Sequence, residues 1–321
     1  MDMTSELEYV IGIDIGGQTT KMGVVDARGT VLTQSVMRTD THKDVNLYIK
    51  DLAEALHKII KDADAKGKIR GIGVGAPNGN FYTGTIENAV NLVWGGTQII
   101  EFAKLLSKKM DGMKVVLTND ANAAAIGEMT YGAARGMKNF IMITLGTGVG
   151  SGIVIDGHLV YGHDGFAGEL GHTTAVRNNG RVCNCGRTGC LETYCSAIGV
   201  ARTAREWLEV TDEPTPLRSL DNITSKDVYE AAKEGDQFAI KIFNFTGKIL
   251  GQSLADFIAF SAPEAIVLFG GLARSQEFLT EPILESMNAN VLPLWKNKVK
   301  LIYSQLKESD AAILGASALA W

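Results

Sequence analysis

One order of signals occurs twice in this chain, and it limits the fold more than any other feature. An apolar run from Tyr9 to Ile15 enters Gly16-Gly17-Gln18-Thr19-Thr20. A second apolar run (Lys21 to Val25), a turn at Asp26 to Gly29 and a third run from Thr30 follow. About 130 residues later the same order returns. Asn139 to Leu145 is apolar, Gly146 to Gly152 is a glycine turn, Ile153 to Ile155 is apolar, Asp156-Gly157 turns, and His158 to Tyr161 follows. Each copy reads as strand, glycine turn, strand, turn, strand: an antiparallel meander. Helical spacing comes after both. Val45, Ile49, Leu52, Leu56 and Ile59 mark one face of an amphipathic helix that Gly67 stops, and Ala239, Phe243, Leu250, Leu254 and Phe257 mark a long buried one. Two copies of one βββ unit, each followed by helices, predict two related α/β domains facing a cleft.

Composition narrows the class further. The chain of 321 residues carries 36 acids and 31 bases, a net charge of −5. It has no run of five like charges, which argues against nucleic-acid or membrane-surface binding. Met1 to Val10 contains Asp2, Glu6 and Glu8 and has no basic segment followed by an apolar one, so no secretory leader is expected. Asn139 to Ile155 is too short and too rich in glycine for a membrane span. These readings predict a soluble, cytoplasmic protein. Glycine occurs 36 times and proline 6 times, a surplus of the first without the second. Such a balance fits tight turns and close backbone approaches inside a folded chain.

Glycine is needed where backbone N–H groups must reach phosphate oxygens with no Cβ in the way. Gly16-Gly17 and Gly146 to Gly152 are both candidates, and neither has the spacing of a Walker A or dinucleotide loop. A plain hairpin turn is the competing reading of either loop alone; their matching places in a duplicated unit favour phosphate. Asp14, at the end of a buried strand, can orient Mg²⁺ through water or merely cap the turn. Asp120 stands where a strand meets the alanine-rich helix. It can take the proton of an attacking hydroxyl, or serve as the helix N-cap. A cap position would push its pKa down, so a base role requires compensating burial.

The four cysteines, Cys183, Cys185, Cys190 and Cys195, fall within thirteen residues. Clustering of this kind suits a metal better than a disulfide framework. With His172, the first three complete a Cys₃His set for a closed, structural zinc site. Cys195 is expected to be a buried small hydrophobe.

At these residues the sequence resembles the ROK family of sugar kinases and sugar-responsive repressors, along almost the whole chain. The resemblance is carried by Asp14-Ile-Gly-Gly17, Asn119-Asp-Ala-Asn-Ala-Ala-Ala125 and Leu145-Gly-Thr-Gly-Val-Gly-Ser-Gly-Ile153. Gly168-Glu-Leu-Gly-His172 and Cys183-Asn-Cys-Gly-Arg-Thr-Gly-Cys-Leu-Glu192 extend it. The pattern is most similar to the family's bacterial glucokinases.

The resemblance implies an actin-like (ribonuclease H-like) ATPase fold, with a smaller domain at 1–118 and a larger one at 119–308. A terminal helix at about 309–321 would return to the first. It implies transfer of the ATP γ-phosphoryl group to the 6-hydroxyl of a hexose, glucose first, with fructose, mannose and N-acetylmannosamine as the other acceptors. Asp120 would be the base. Gly75, Asn78, Asn119, Glu169, His172 and Glu192 would bind the sugar, and His172 would also ligate zinc. Asp14, Gly16, Gly17, Gln18, Thr19, Lys21, Gly146, Thr147, Gly148, Gly270 and Gly271 would bind ATP with Mg²⁺. A dimer or a dimer of dimers is implied as well.

Two positions depart from the family's pattern. Gln18 stands where threonine usually follows the glycines, so Thr19 or Thr20 is expected to replace it. Asn78 stands where glycine commonly follows the proline, which leaves the sugar preference open. A repressor would need a helix-turn-helix ahead of the first strand, and about eight residues are too few. A sugar-binding module without catalysis would not need Asp14, both loops and Asp120 together.

Overall fold

The protein was analysed as a computed structural model that describes residues 8–321; Met1 to Leu7, most of the segment read for a leader, lie outside the described residues. The chain forms two compact units. The first holds the described residues through Gly136, with Leu159–Ala167 and Gln305–Trp321; the second holds Met137–His158 and Gly168–Ser304.

The first unit begins with the expected meander: β1 (Tyr9–Ile15), β2 (Thr19–Asp26) and β3 (Val31–Arg38), antiparallel in sequence order. Helix α1 (Val45–Asp62) is capped by Asp44, whose side chain accepts from Asn46 N–H. It buries Ile49, Leu52, Leu56 and Ile59, the face that the spacing predicts, and ends at Asp62, five residues before Gly67. Strand β4 (Ile69–Gly75) pairs parallel with β1. A small antiparallel sheet follows, of β5 (Gly79–Asn80), β6 (Thr85–Glu87) and β7 (Ile99–Ile100). Helix α2 (Phe102–Lys109) leads to β8 (Val115–Thr118), parallel to β4, and α3 (Asp120–Tyr131) comes next. The sheet order is β3-β2-β1-β4-β8.

The second unit repeats that plan. Strands β9 (Phe140–Leu145), β10 (Val149–Ile155) and the stub β11 (His158–Leu159) are followed by α4 (Glu192–Cys195), α5 (Ala197–Val210), α6 (Ser225–Lys233) and α7 (Gln237–Ser261). Strand β12 (Ala265–Phe269) lies parallel to β9, then come α8 (Gln276–Asn290) and β13 (Lys300–Tyr303). The order β11-β10-β9-β12-β13 matches the first sheet position for position. The core gathers Ile141, Ile143, Phe243, Leu250, Leu254 and Ile266 between sheet and helices. The third strand of this copy was expected to reach Tyr161; it stops at Leu159 because the chain there joins the first unit.

Helix α9 (Glu308–Ala318) returns to the first sheet. Side chains alternate along β1, so Ile11, Ile13 and Ile15 meet α1 while Gly12 faces α9. A Cβ on Gly12 would stand 2.0 Å from Ile313 O, and one on Gly73 of β4 would stand 1.9 Å from Ala316 O. Helix backbone thus lies directly on strand backbone. Helix α3 packs on α9 by the same device, since a Cβ on Gly127 would lie 2.7 Å from Gly315 Cα. That packing keeps residues 119–136 with the first unit, so the boundary expected after residue 118 lies instead after Gly136. Gly73→Ala is expected to destabilise the protein by about 1–3 kcal/mol, because the helix must move to admit a methyl group. Denaturant unfolding measures this, and an unchanged midpoint would remove the close seating of α9.

Candidate active site

In the first unit, parallel pairing aligns the strand ends. Asp14 of β1 lies opposite Gly75 of β4, and Gly75 lies opposite Thr118 of β8. Two residues later the chain reaches Asp120, the first residue of α3. A Cβ on Gly75 would meet Ala123 Cβ at 3.2 Å, Asp120 Cα at 3.6 Å and Asp14 Oδ1 at 4.0 Å. A methyl group there would touch both aspartate segments at ordinary contact distance and would be tight only against Ala123. Ligand sites in such sheets gather at the carboxyl ends of the strands.

The N-cap of α3 is Asn119, not Asp120: its Oδ1 accepts from Asn122 N–H at 2.7 Å. The amide nitrogen of Asn119 therefore remains for another partner. Asp120 Oδ1 accepts from its neighbour Ala121 N–H, at 2.9 Å. Asp120 is solvent-accessible, yet protein crowds it enough that desolvation raises its pKa, outweighing the backbone N–H groups of Ala121 and of Asp120 itself. Desolvation by the crowding protein supplies the compensation that a base at a helix start requires. Asp14 is pushed up to about 6, first by burial and then by the Asp120 charge, while Lys21 across the β1–β2 pair pulls it down. Two carboxylates, Asp120 raised by desolvation and Asp14 by burial and by the Asp120 charge, with one lysine near, are a donor set that suits a divalent cation.

The first glycine loop is closed by Gly16 N–H donating to Thr19 O at 3.0 Å, and Gln18 and Thr19 are exposed. Thr20 is not available to a ligand, because its buried hydroxyl is held by Thr39 Oγ1 at 2.8 Å and Tyr48 OH at 2.7 Å. Of the two replacements for the family threonine, Thr19 alone faces solvent. In the second unit, Gly146 N–H donates to Gly148 O at 3.0 Å, and a side chain at Gly146 or at Gly271 would meet no other residue within 4 Å. Gly270 has φ +104 and backs onto Leu145, where a Cβ would lie 2.6 Å from the carbonyl oxygen. Pairing of Thr144 with Phe269 brings the Gly146 loop and Gly270-Gly271 to one sheet end.

Glu192 joins the second loop to the cysteine segment. Its Oε2 accepts from Val149 N–H at 3.2 Å, and a Cβ on Gly148 would stand 2.4 Å from that oxygen. Its Oε1 lies 3.5 Å from Cys183 Sγ. The ligand atoms of His172, Cys183, Cys185 and Cys190 all lie within 4.8 Å of one another. Cys183 Sγ is 3.8 Å from His172 Nδ1, and Cys185 Sγ is 3.7 Å from Cys190 Sγ. A tetrahedral zinc with bonds of about 2.3 Å to sulfur and 2.0–2.1 Å to nitrogen requires ligand separations of about 3.6–3.8 Å. The set fits the metal. Burial pushes the Cys183 thiol up to about 12, and a bound cation brings such a thiol to its thiolate form. Arg181 steadies the segment, reaching Thr193 O at 2.8 Å and Glu206 Oε2 at 2.6 Å while lying 4.5 Å over the Tyr194 ring. Cys195 is buried in the core with Sγ 3.6 Å from Thr246 O, as a small hydrophobe would be.

Asn78 has φ +51, the left-handed region that asparagine tolerates after glycine, which accounts for the glycine common at this position. Its amide nitrogen donates to Glu87 O at 2.9 Å and Asn88 O at 3.1 Å, so that end of the side chain holds its own loop.

Residues 10–321 match the ROK family. The chain belongs to that family. It is 36% identical over 314 residues to a glucokinase of Halalkalibacterium halodurans, covering 96% of this chain and 93% of the relative. The structure is similar to that of a ROK family glucokinase from Streptomyces griseus in complex with glucose and AMPPNP. The TM-score is 0.77 at 32% identity, covering 97% of this chain and 98% of that one. It also matches a xylose repressor of Caldicellulosiruptor bescii at 28% identity, covering 99% of this chain and 79% of the repressor. The duplicated sheets are those of the actin-like ATPase fold of ROK sugar kinases. Among the described residues, no helix is long and apolar enough to cross a membrane.

Elemental analysis of the purified protein is expected to find about one zinc per chain; fully folded protein without zinc would overturn the Cys₃His assignment. A second expectation concerns Asp14. Its folded pKa of about 6 lies above the unfolded value, so the proton favours the folded form. Ionising the group costs stability that grows from about pH 4 to about pH 6 and then levels off. Asp14→Asn should therefore stabilise the ligand-free protein on the order of 1–2 kcal/mol at pH 8, solvent screening allowed for, and less at pH 5. Thermal unfolding at both pH values checks the sign.

Proposed function

We propose that this chain is an ATP-dependent hexose kinase that phosphorylates the 6-hydroxyl, with glucose as its main substrate. One observation carries the reading: in-register strand ends bring Asp14 and Asp120 around the bare Gly75 backbone, in a chain similar to glucokinases along its length.

Each unit has its part. In the first, Asp120 takes the 6-hydroxyl proton as that oxygen attacks the γ-phosphorus in line and the bond to the ADP oxygen breaks. Its raised pKa suits a base working near neutrality. Asn119 donates its free amide nitrogen to a sugar oxygen, and the Gly75 and Asn78 backbone lines the sugar. In the second unit, Glu169 and Glu192 accept from sugar hydroxyls, each carboxylate able to serve two neighbours. His172 turns Nδ1 to the cysteines, which leaves Nε2 for the sugar.

N–H groups of Gly17, Thr147 and Gly148, with Gln18, Thr19 and Lys21, hold the phosphates in loops that Gly16 and Gly146 close, and Gly270-Gly271 lie by the adenosine. Asp14 would hold Mg²⁺ through water, and that ion would neutralise phosphate charge. Zinc on His172, Cys183, Cys185 and Cys190 would have no open position and would fix the turn that carries His172 and Glu192. A cytoplasmic protein that forms a dimer or a dimer of dimers belongs to the same reading.

A coupled ADP-release assay over glucose, fructose, mannose and N-acetylmannosamine tests the substrate. No turnover with any hexose would sink the kinase reading, and a preference for another sugar would replace glucose. Asp120→Asn is expected to lower kcat by about 10²–10⁴-fold while hexose binding, followed by calorimetry, stays within a few-fold. Near-normal turnover would remove Asp120 as the base.

A further inference from the structure

The first glycine loop joins β1 to β2 through Gly16 to Thr19, between the paired residues Ile15 and Thr20. Gly16 N–H closes it on Thr19 O, and Thr39 N–H, just past β3, donates to Gln18 O at 2.9 Å. Where the loop enters β2, three hydroxyls stand in a row. Thr20 Oγ1 lies 2.8 Å from Thr39 Oγ1 and 2.7 Å from Tyr48 OH, and all three residues are fully buried. A threonine hydroxyl has one proton to give, so with two partners it must accept from at least one of them. A buried hydroxyl that loses a partner finds no bulk water in its place, so each bond in the row counts.

Tyr48, in the first turn of α1, makes a second contact with its ring. It stacks on Trp94, with centroids 4.8 Å apart and planes 27° from parallel, and Trp94 stacks in turn on Phe102 at 6.0 Å. Trp94 belongs to a tightly folded stretch. There Leu92 N–H donates to Ala89 O at 3.0 Å, Gly95 N–H donates to Leu92 O at 2.8 Å, and Gln98 Nε2 donates to Trp94 O at 2.9 Å. Leu92 and Trp94 are buried, whereas Asn91 and Val93 are exposed. The two anchored side chains set the Asn91 backbone against the glycine loop, since a Cβ on Gly17 would stand 2.9 Å from Asn91 O. All of these residues belong to the first unit.

We propose that Tyr48 is a positioning residue for the nucleotide. It fixes the first glycine loop at two points: through its hydroxyl at Thr20, and through its ring, by way of Trp94, at the Asn91 backbone that faces Gly17. The Gly17 N–H and the Gln18 and Thr19 side chains are thereby held in one arrangement before a ligand arrives, which leaves less ordering to the binding step. The proposal rests on the kinase reading above, which gives this loop to ATP. The hydroxyl arm runs through Thr20 and Thr39 and not through the residues given to the sugar, so its loss should sort the two substrates.

Tyr48→Phe keeps the ring on Trp94 and removes the hydroxyl. It is expected to raise the KM for ATP about three- to tenfold, the weight of one hydrogen bond, and to leave the KM for hexose within about twofold. Thr20→Val removes the same bond from its other end and should act in the same direction, while Thr20→Ser, which keeps a hydroxyl, should stay within about twofold of wild type for both substrates. The double variant Tyr48→Phe with Thr20→Val should raise the ATP KM by less than the product of the two single effects. Hydrogen–deuterium exchange of the ligand-free protein gives a readout independent of activity. Tyr48→Phe should speed exchange of the Gly16 and Thr39 amides, which close the loop, at least about threefold, and leave the amides of β4 at wild-type rates. An unchanged ATP KM, equal rises for both substrates, independent effects in the double variant, or unchanged exchange at Gly16 and Thr39 would overturn the proposal. A wild-type protein inactive on every hexose would instead defeat the kinase reading, and AMPPNP binding by calorimetry with the exchange comparison would still decide whether Tyr48 sets the loop.

Discussion

In-register parallel pairing of β1, β4 and β8 is the constraint on which the candidate site depends. It sets Asp14, Gly75 and Thr118 side by side, so that the loop after one strand and the helix after another start from the same line. Moving β4 by one residue would turn its glycines towards the opposite faces and put side chains where α9 and the Asp120 segment now approach. The register is held by shape: only Gly12 and Gly73 admit the α9 backbone on one side of the sheet, while Ile11, Ile13 and Ile15 fill the other.

The second unit uses the same plan for a different purpose. There β9 and β12 bring the Gly146 loop beside Gly270-Gly271, and α4 sends Glu192 back against Gly148 and Val149. That carboxylate also approaches Cys183, so the cysteine cluster and the second glycine loop share one side chain. A metal on the cluster would stiffen a segment that is otherwise secured by Arg181 and two isolated bridges. The features are thus divided, with two carboxylates by the strand ends of one copy and open glycine backbone, joined through Glu192 to a His/Cys cluster, in the other.

Much of this was legible in the chain itself. The twofold order of strand and turn signals is a local pattern, and local patterns survive without knowledge of tertiary contacts. The His172, Cys183, Cys185 and Cys190 set was legible because thiolates and an imidazole at such spacing have few other uses. What was misread were places where a remote contact overrides a local preference. Asp120 and Asn119 are both good N-caps, and only the turn of the backbone decided that Asn119 serves. The strand expected through Tyr161 ends early because an aromatic partner eighty residues before it claims the ring.

By itself the sequence determined the duplicated α/β plan, the glycine positions where backbone must meet something closely, and a His/Cys cluster with the chemistry of metal ligands. Tertiary structure alone decided that Thr20 is buried and Thr19 open, that Asn78 holds its own loop, and that Tyr161 stacks on Phe81. Periodicity and residue chemistry are properties of a short stretch, whereas the partner of a side chain depends on which distant segment the packed core sets beside it.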